Sequence, residues 1–288
     1  MFSLYLLVPL LFVQDTAAPL PDLKPFLSEL RKTVHTDGLL LSQYTYTQRT
    51  TEMELDSKNK PKKTEVNAFQ VFPGSSEHVA YRRQIEKDGR PLTQDEAQKE
   101  EQALQKRIEE AQQRRARITP AERDRQRAQR LRKEQQIIDD AFGVFDVRMT
   151  GREIVDGRPA IVLQFRPRVP ATYKPTTFEG KNMQHVAGKA WVDEQDHQIA
   201  RVEIEVTDTI SIGLGILARL QKGASILEER RKFNDEIWLP VRTEVTLNAK
   251  ILLLKGFNIR EITEYSDQKK YSVDTVLSFP DLDDPETH

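Results

Sequence analysis

The sequence predicts an α+β fold: an antiparallel sheet interrupted by one long pair of helices. Three observations predict it. Apolar and polar residues alternate in stretches on both sides of the chain's centre, as strands with one buried face do. The links between these stretches are short, which favours antiparallel pairing. From Leu92 to Ile138 there is no glycine, and the only proline is Pro120; Glu, Gln, Ala, Arg, Lys and Leu dominate there, all strong helix formers.

The elements follow in order. "MFSLYLLVPLLFVQDTAAPLPDL" has an apolar run from Leu4 to Val13, then Ala17 and Ala18. Such a run suits a secretory signal peptide over 1–18 and is too short to span a bilayer. An exported, periplasmic protein is the expectation. No cysteine follows the run, so a bacterial lipid anchor at that site is excluded. Residues 25–37 predict a short helix, with Phe26, Leu30 and Val34 on one face and Leu27 beside them. Pro25 suits its first turn and Gly38 the position beyond its end.

"LLSQYTYTQRTTEMEL", "TEVNAFQVFP" and "EHVAYRRQIEKDG" read as three strands of a meander, with "KNKP" as a turn. Two helices are then expected over about 94–117 and 120–141. Thr93 with Glu96 and Thr119 with Glu122 fit capping boxes, and Pro120 takes a first helical position. Their apolar stripe is thin: Ala97, Leu104, Ile108 and Ala111, then Ala128, Leu131, Ile138 and Phe142. From Phe145 to about Thr275 strands return. Asp156-Gly157 marks one hairpin turn, and "DEQDHQ" separates the strands of "GKAWVDEQDHQIARVEIEV". In "WLPVRTEVTLNAKILLLKGFNIREITEYSD", Val241, Thr243, Val245, Leu247, Ala249, Ile251 and Leu253 fall on one face, while Arg242, Glu244, Asn248 and Lys250 fall on the other. Residues 19–280 are read as one domain with 92–141 inserted. The acidic end, 281–288, is read as a loose tail.

Composition narrows the chemistry. Hydrophobic residues make up 38% and charged residues 31%, which suits a globular core with a very polar surface. The net charge of −1 leaves attraction to polyanions to local patches. Cysteine is absent, which excludes disulfides, a thiol nucleophile and thiolate metal sites. None of His35, His78, His185, His197 and His288 falls at a metal-ligand spacing. No G-x-S-x-G, P-loop or S-x-x-K pattern occurs. Asp193 and Glu194 are expected to be solvated turn charges. "GLGILA", Gly213 to Ala218, matches G-x-G-x-x-A but lacks the parallel β-α-β context of a dinucleotide site. "ISIGLGILARL" is read instead as an apolar loop or short helix. It either packs on the sheet or forms a lid through Ile212, Leu214, Ile216 and Leu217.

Between Lys106 and Lys133 stand eleven basic residues and four acidic ones. A solvated helical hairpin, an anionic lipid surface and nucleic acid all fit such a run. The charges surround the helices and no aromatic interleaves for base stacking. Nucleic acid is therefore not expected; a solvated hairpin is the favoured reading, with an anionic envelope surface through 106–133 as its alternative.

The meander "SQYTYTQRT … VNAFQVF … HVAYRRQI" and the hairpins "GREIVDGRPAIVLQFRPR" and "GKAWVDEQDHQIARVEIEV", with Trp191-Val192-Asp193 at their centre, resemble the LolA/LolB-like lipoprotein-carrier superfamily and its MucB/RseB-type relatives. The resemblance covers about 25–90 and 145–275. It implies a half-barrel sheet wrapped over helices, an apolar concavity for acyl chains, a periplasmic location and no catalysis. The long charged hairpin departs from the carrier pattern.

The reading that follows is a non-enzymatic periplasmic protein, monomeric and without cofactor or metal. It binds a lipid or acylated partner. The residues expected to line the concavity are Tyr44, Tyr46, Phe69, Ile161, Leu163, Phe165, Trp191, Val245, Leu247, Ile251 and Leu253. The alternative is an envelope scaffold acting through the basic hairpin.

Overall fold

The computed structural model describes residues 19–34, 43–73, 80–212, 218–251 and 256–270. Helix α1 (Leu23–Thr33) precedes a meander of β1 (Tyr44–Leu55), β2 (Pro61–Pro73), β3 (Ala80–Lys87) and the two-residue β4 (Arg90–Pro91). Two long helices follow, α2 (Gln94–Ala116) and α3 (Pro120–Val144). The chain then runs through β5 (Phe145–Val155), β6 (Arg158–Pro167), the short helix α4 (Phe178–Met183), β7 (Val186–Asp193) and β8 (Ile199–Val206). It continues as β9 (Ile210–Ile212), β10 (Ala218–Leu220), β11 (Ser225–Phe233), β12 (Ile237–Ile251) and β13 (Phe257–Lys270).

The strands form one antiparallel sheet in the order β4-β3-β2-β1-β13-β12-β11-β8-β7-β6-β5, with β9 and β10 as a side hairpin on β12. The sheet does not close into a barrel. One edge is β5; the other is β3 with the short β4. The early meander and the late hairpins meet where β13 pairs with β1. Asp156-Gly157 and Asp88-Gly89 make the tight turns as two successive positive-φ residues, 49° and 76°, then 52° and 78°. That conformation matches the strand twist in a two-residue hairpin.

Helix α1 packs on one face of the sheet, called the inner face below. Its Phe26 and Leu30 form a core with Ile161, Leu163, Ala190 and Val192. The opposite face of the same strands is also covered, because Ala160, Val162 and Trp191 cluster there with Val155. Four successive residues, Ala160 to Leu163, are therefore buried, where simple alternation predicts a wet outer side. Asp193, expected in solvent, is 1% exposed and accepts from both Arg158 Nε (2.6 Å) and Nη2 (2.9 Å). Glu194 pairs with Arg152 at 2.7 Å.

Thr93 and Glu96 form the expected capping box, but at α3 only half of one forms: the Thr119 hydroxyl accepts from the Glu122 amide at 3.2 Å. The apolar seam is narrower than expected. Leu104 and Ile138 are buried, but Ala97 and Ala128 are exposed and Leu131 is 56% exposed. The pair also does more than ride outside the sheet. It connects the two free edges, from β4 to β5.

At the β3 edge a bulge between Ala68 and Phe69 shifts the pairing. The Gln84 amide donates to Glu100 Oε1 at 3.1 Å, and Arg107 Nη2 donates to the Arg82 carbonyl at 2.9 Å. Arg107 and Glu100 are themselves paired at 2.7 Å. Two side chains of α2 thus take the place of a neighbouring strand. At the other end Asp140 of α3 is fully buried. It accepts from Tyr173 Oη (2.9 Å), the amides of Thr176 and Thr177 (3.0 and 2.8 Å) and Thr177 Oγ1 (2.6 Å). Burial alone would raise its pKa; these donors outweigh it and hold the carboxyl at about 2.

Three local readings change. Helix α1 starts at Leu23, with Val34 as its C-cap, so Pro25 is its third residue. The ends of "ISIGLGILARL" are the paired strands β9 and β10, and its centre, 213–217, lies outside the described residues. β11 has no counterpart in the sequence reading. The signal segment, the acidic tail, His35, His78 and His288 lie outside the described residues.

Candidate ligand face of the sheet

Register decides which residues share the inner face. Phe165 pairs with Gly188, Gly188 with Ile204, Ile204 with Ile226 and Ile226 with Val245. One apolar row therefore crosses β6, β7, β8, β11 and β12. Two residues along, Leu247 pairs with Ile259. Over β5 to β8 this face is filled by α1, with Val147, Met149, Phe165 and Val202 packed around its core. A Cβ on Gly188 would stand 2.6 Å from Phe165 Cζ, so that ring occupies the space over the glycine.

Past β8 the core under α1 ends. Ile226 lies in the middle of the strand order yet is 42% exposed. Among the described residues, no buried hydrophobic cluster includes Tyr46, Phe69, Val245 or Leu247. The stripe has polar borders. The next row beyond β11, Thr243, Thr263 and Thr50, carries hydroxyls, with Thr50 and Thr263 3.1 Å apart. Towards one end Glu261 pairs with Glu52, and Glu52 with Glu65, on the same face as Val245. Towards the other end Tyr265 and Gln48 pair across β13 and β1, and Gln48 pairs with Phe69. The rings of Tyr46 and Tyr265 lie 5.9 Å apart, and the Arg82 guanidinium sits 4.4 Å over the Phe69 ring. Burial raises the pKa of both tyrosines, so both phenols stay protonated donors at neutral pH.

The residues expected to form the concavity separate into groups. Val245, Leu247, Tyr46 and Phe69 lie on the open part of the inner face. Ile161 and Leu163 are 0% and 2% exposed in the α1 core; they fill space and line none. Phe165 borders that core and packs on Phe145 at 4.9 Å. Tyr44 is buried in a separate cluster with Ile237 and Leu239, and donates to Glu236 at 2.6 Å. Trp191 faces the opposite side of the sheet, where Nε1 donates to Glu153 at 2.8 Å and Arg201 lies 4.9 Å from the ring. Ile251 ends β12 opposite Ala218, and Ala218 also pairs with Ile212. Leu253 and the lid residues Leu214, Ile216 and Leu217 lie outside the described residues. Ile204, Ile226, Ile259, Tyr265 and Arg82 share this face and were not singled out from sequence. Alternation within "SILEERRKF" and "FNIREITEY" carries their signal, but only cross-strand register shows that they join Val245 and Tyr46.

A groove of about 650 Å³ crosses β6, β7, β8 and β11, where Gln164, Lys189, Glu203 and Glu244 line it together with Phe165, Ile204, Ile226 and Leu227. Among the described residues no group of three or more His, Cys, Asp or Glu could hold a metal ion. No described helix is long and apolar enough to cross a membrane.

An open antiparallel sheet with one helix on half of a face defines a half-barrel class of fold. The chain is similar to a putative outer membrane lipoprotein-sorting protein domain from Vibrio parahaemolyticus, at 10% identity over 85% of this chain and 90% of that one, with a TM-score of 0.32. It is similar to a LolA superfamily protein from Nitrosomonas europaea, at 11% identity over 86% and 93%, TM-score 0.28. It is also similar to the Pseudomonas aeruginosa MucA/MucB complex, at 10% identity over 86% and 98%, TM-score 0.21. No family model and no curated protein matches the chain.

Proposed function

We propose that the protein is a non-enzymatic binding protein of the bacterial envelope, exported to the periplasm, that takes the apolar part of a lipid or acylated partner onto the open half of its inner face. The observation that carries the reading is Ile226: a mid-sheet isoleucine, 42% exposed, on the same row as Ile204 and Val245. Each methylene laid on such a stripe gains about 0.8 kcal/mol, so affinity needs no catalytic group. Threonine hydroxyls, phenols and Arg82 at the border suit the polar end of an amphiphile.

Uptake of a fluorescent fatty acid, together with native mass spectrometry after gentle purification, tests this. The wild type is expected to retain or take up amphiphile. Ile226→Asp is expected to lower uptake at least about tenfold, the effect of losing some 1.4 kcal/mol of apolar contact, with an unchanged melting temperature. A wild type that never carries an amphiphile and takes up none removes the proposal.

A further inference from the structure

We propose that the distal part of the α2–α3 pair is a docking arm for an anionic lipid surface. This goes beyond the inner-face reading and stands without it. From Gln112 to Arg132 the chain has eight basic residues and two acidic ones, a net +6, within a protein of net −1. The remainder is therefore −7, and the molecule is strongly polarised.

The structure adds where this charge sits. Ion pairs that bind the helices to the fold include Glu101–Arg83, Arg31–Asp139 and Lys133–Glu179, none of them at residues 108–132. The sheet-proximal part of α2 is acidic, with Asp95, Glu96, Glu100 and Glu101 against Lys99 over residues 94–104. Beyond it Arg114, Arg115, Arg117, Arg123, Arg125 and Arg130 are exposed. Acid at the root and base at the tip orient the molecule in a field, with the tip towards negative charge.

The chemistry of the tip selects the partner. No aromatic residue occurs between Leu92 and Ile138, so bases have no stacking platform. The guanidiniums lie around both helices, not along one groove, which fits a diffuse charged plane better than a single phosphate track. Ile118 at the bend is half-buried and Leu131 is an isolated exposed apolar residue, so the arm rests on head groups and does not insert. Both roots of the arm flank the inner face: Arg107 holds the Arg82 backbone, and Phe142 packs on the α1 core.

Co-sedimentation with phosphatidylcholine vesicles containing about one third phosphatidylglycerol tests the arm on the full chain. Each basic residue near such a surface is worth roughly fivefold in partition. Binding is expected at about 50 mM salt, to fall at least tenfold by about 500 mM as screening shortens, and to be absent on pure phosphatidylcholine. Replacing Arg114, Arg115, Arg117 and Arg123 by Gln should lower partition at least about a hundredfold, with unchanged melting and fatty-acid uptake. The same change at the exposed Lys58 and Lys60 of the β1–β2 turn and Lys62 at the start of β2 should cost little. Equal loss from both sets, no loss from the arginine set, salt-insensitive binding, or duplex DNA bound more tightly than the vesicles would each overturn the proposal.

Discussion

The two halves of the inner face are built from similar strands and end differently. Over β5 to β8, α1 places Phe26 and Leu30 on Ile161, Leu163 and Val192, and the strands are sealed. Over β11 and β12 the same row continues through Ile226 and Val245, and Ile226 stays open. The difference lies in what covers the strand, not in the strand itself. An alternating sequence states that one face is apolar; it does not say whether a helix, a ligand or a partner occupies that face.

The largest effect that should separate the halves is a truncation. Ile161→Ala removes a fully buried side chain and should cost about 2–5 kcal/mol, from lost transfer energy and the cavity left behind. Ile226→Ala removes the same atoms from an exposed site and should change stability by about 0.5 kcal/mol or less. Urea melts of the two variants measure both. Equal losses would mean that the face over β11 is as filled as the one over β6, and the open half would disappear as an idea.

Much of this layout was legible in the sequence. Asp156-Gly157, the Thr93 and Thr119 caps and the glycine-free stretch 92–138 are local signals, and the turn, the caps and the two helices are found there. The face of Val241, Thr243, Val245 and Leu247 follows from period two alone. What was not legible depends on contacts distant in sequence. Trp191 looked like a cavity aromatic, but its parity relative to Ile161 puts it on the other face, against Val162. Asp193 looked like a solvated turn residue because nothing local reveals Arg158, 35 positions away. The helical pair looked like an insertion because its role at two sheet edges appears only when the strand order is known. Tyr265 and Ile226 were passed over for the same reason: register brings them to Tyr46 and Val245.

An intermediate effect sharpens the anchoring of the covered half. Asp140 ties the last turn of α3 to Thr176 and Thr177, and α3 continues directly into β5. Its folded pKa is about 2, below the roughly 3.9 of an unfolded aspartate. A lowered folded pKa gives stability that is present above pH ~4 and lost as pH falls towards ~2. Asp140→Asn turns an acceptor towards its donors and adds two donors of its own. It should destabilise by about 1–3 kcal/mol at neutral pH and flatten the acid limb of a melting-temperature profile between about pH 4 and 2. An unchanged acid limb would mean that other carboxylates, Asp193 among them, carry it.

The smallest effect concerns the far edge, beside the open half. Glu100 and Arg107 occupy the outward amide of Gln84 and carbonyl of Arg82, and Leu104 next to them is buried. Replacing both by Ala leaves two backbone groups facing water, which solvates them at little cost, so melting should barely move. The edge itself changes character, because an uncapped strand offers its ladder to another chain. Sedimentation velocity over a range of concentrations should show weak self-association in the double variant and none in the wild type. The comparable control is the other edge, where Arg148→Ala on β5 removes charge without uncapping backbone and should leave the protein as it is. If both variants self-associate alike, surface charge governs the edges, and the side-chain cap on β3 has no protective role.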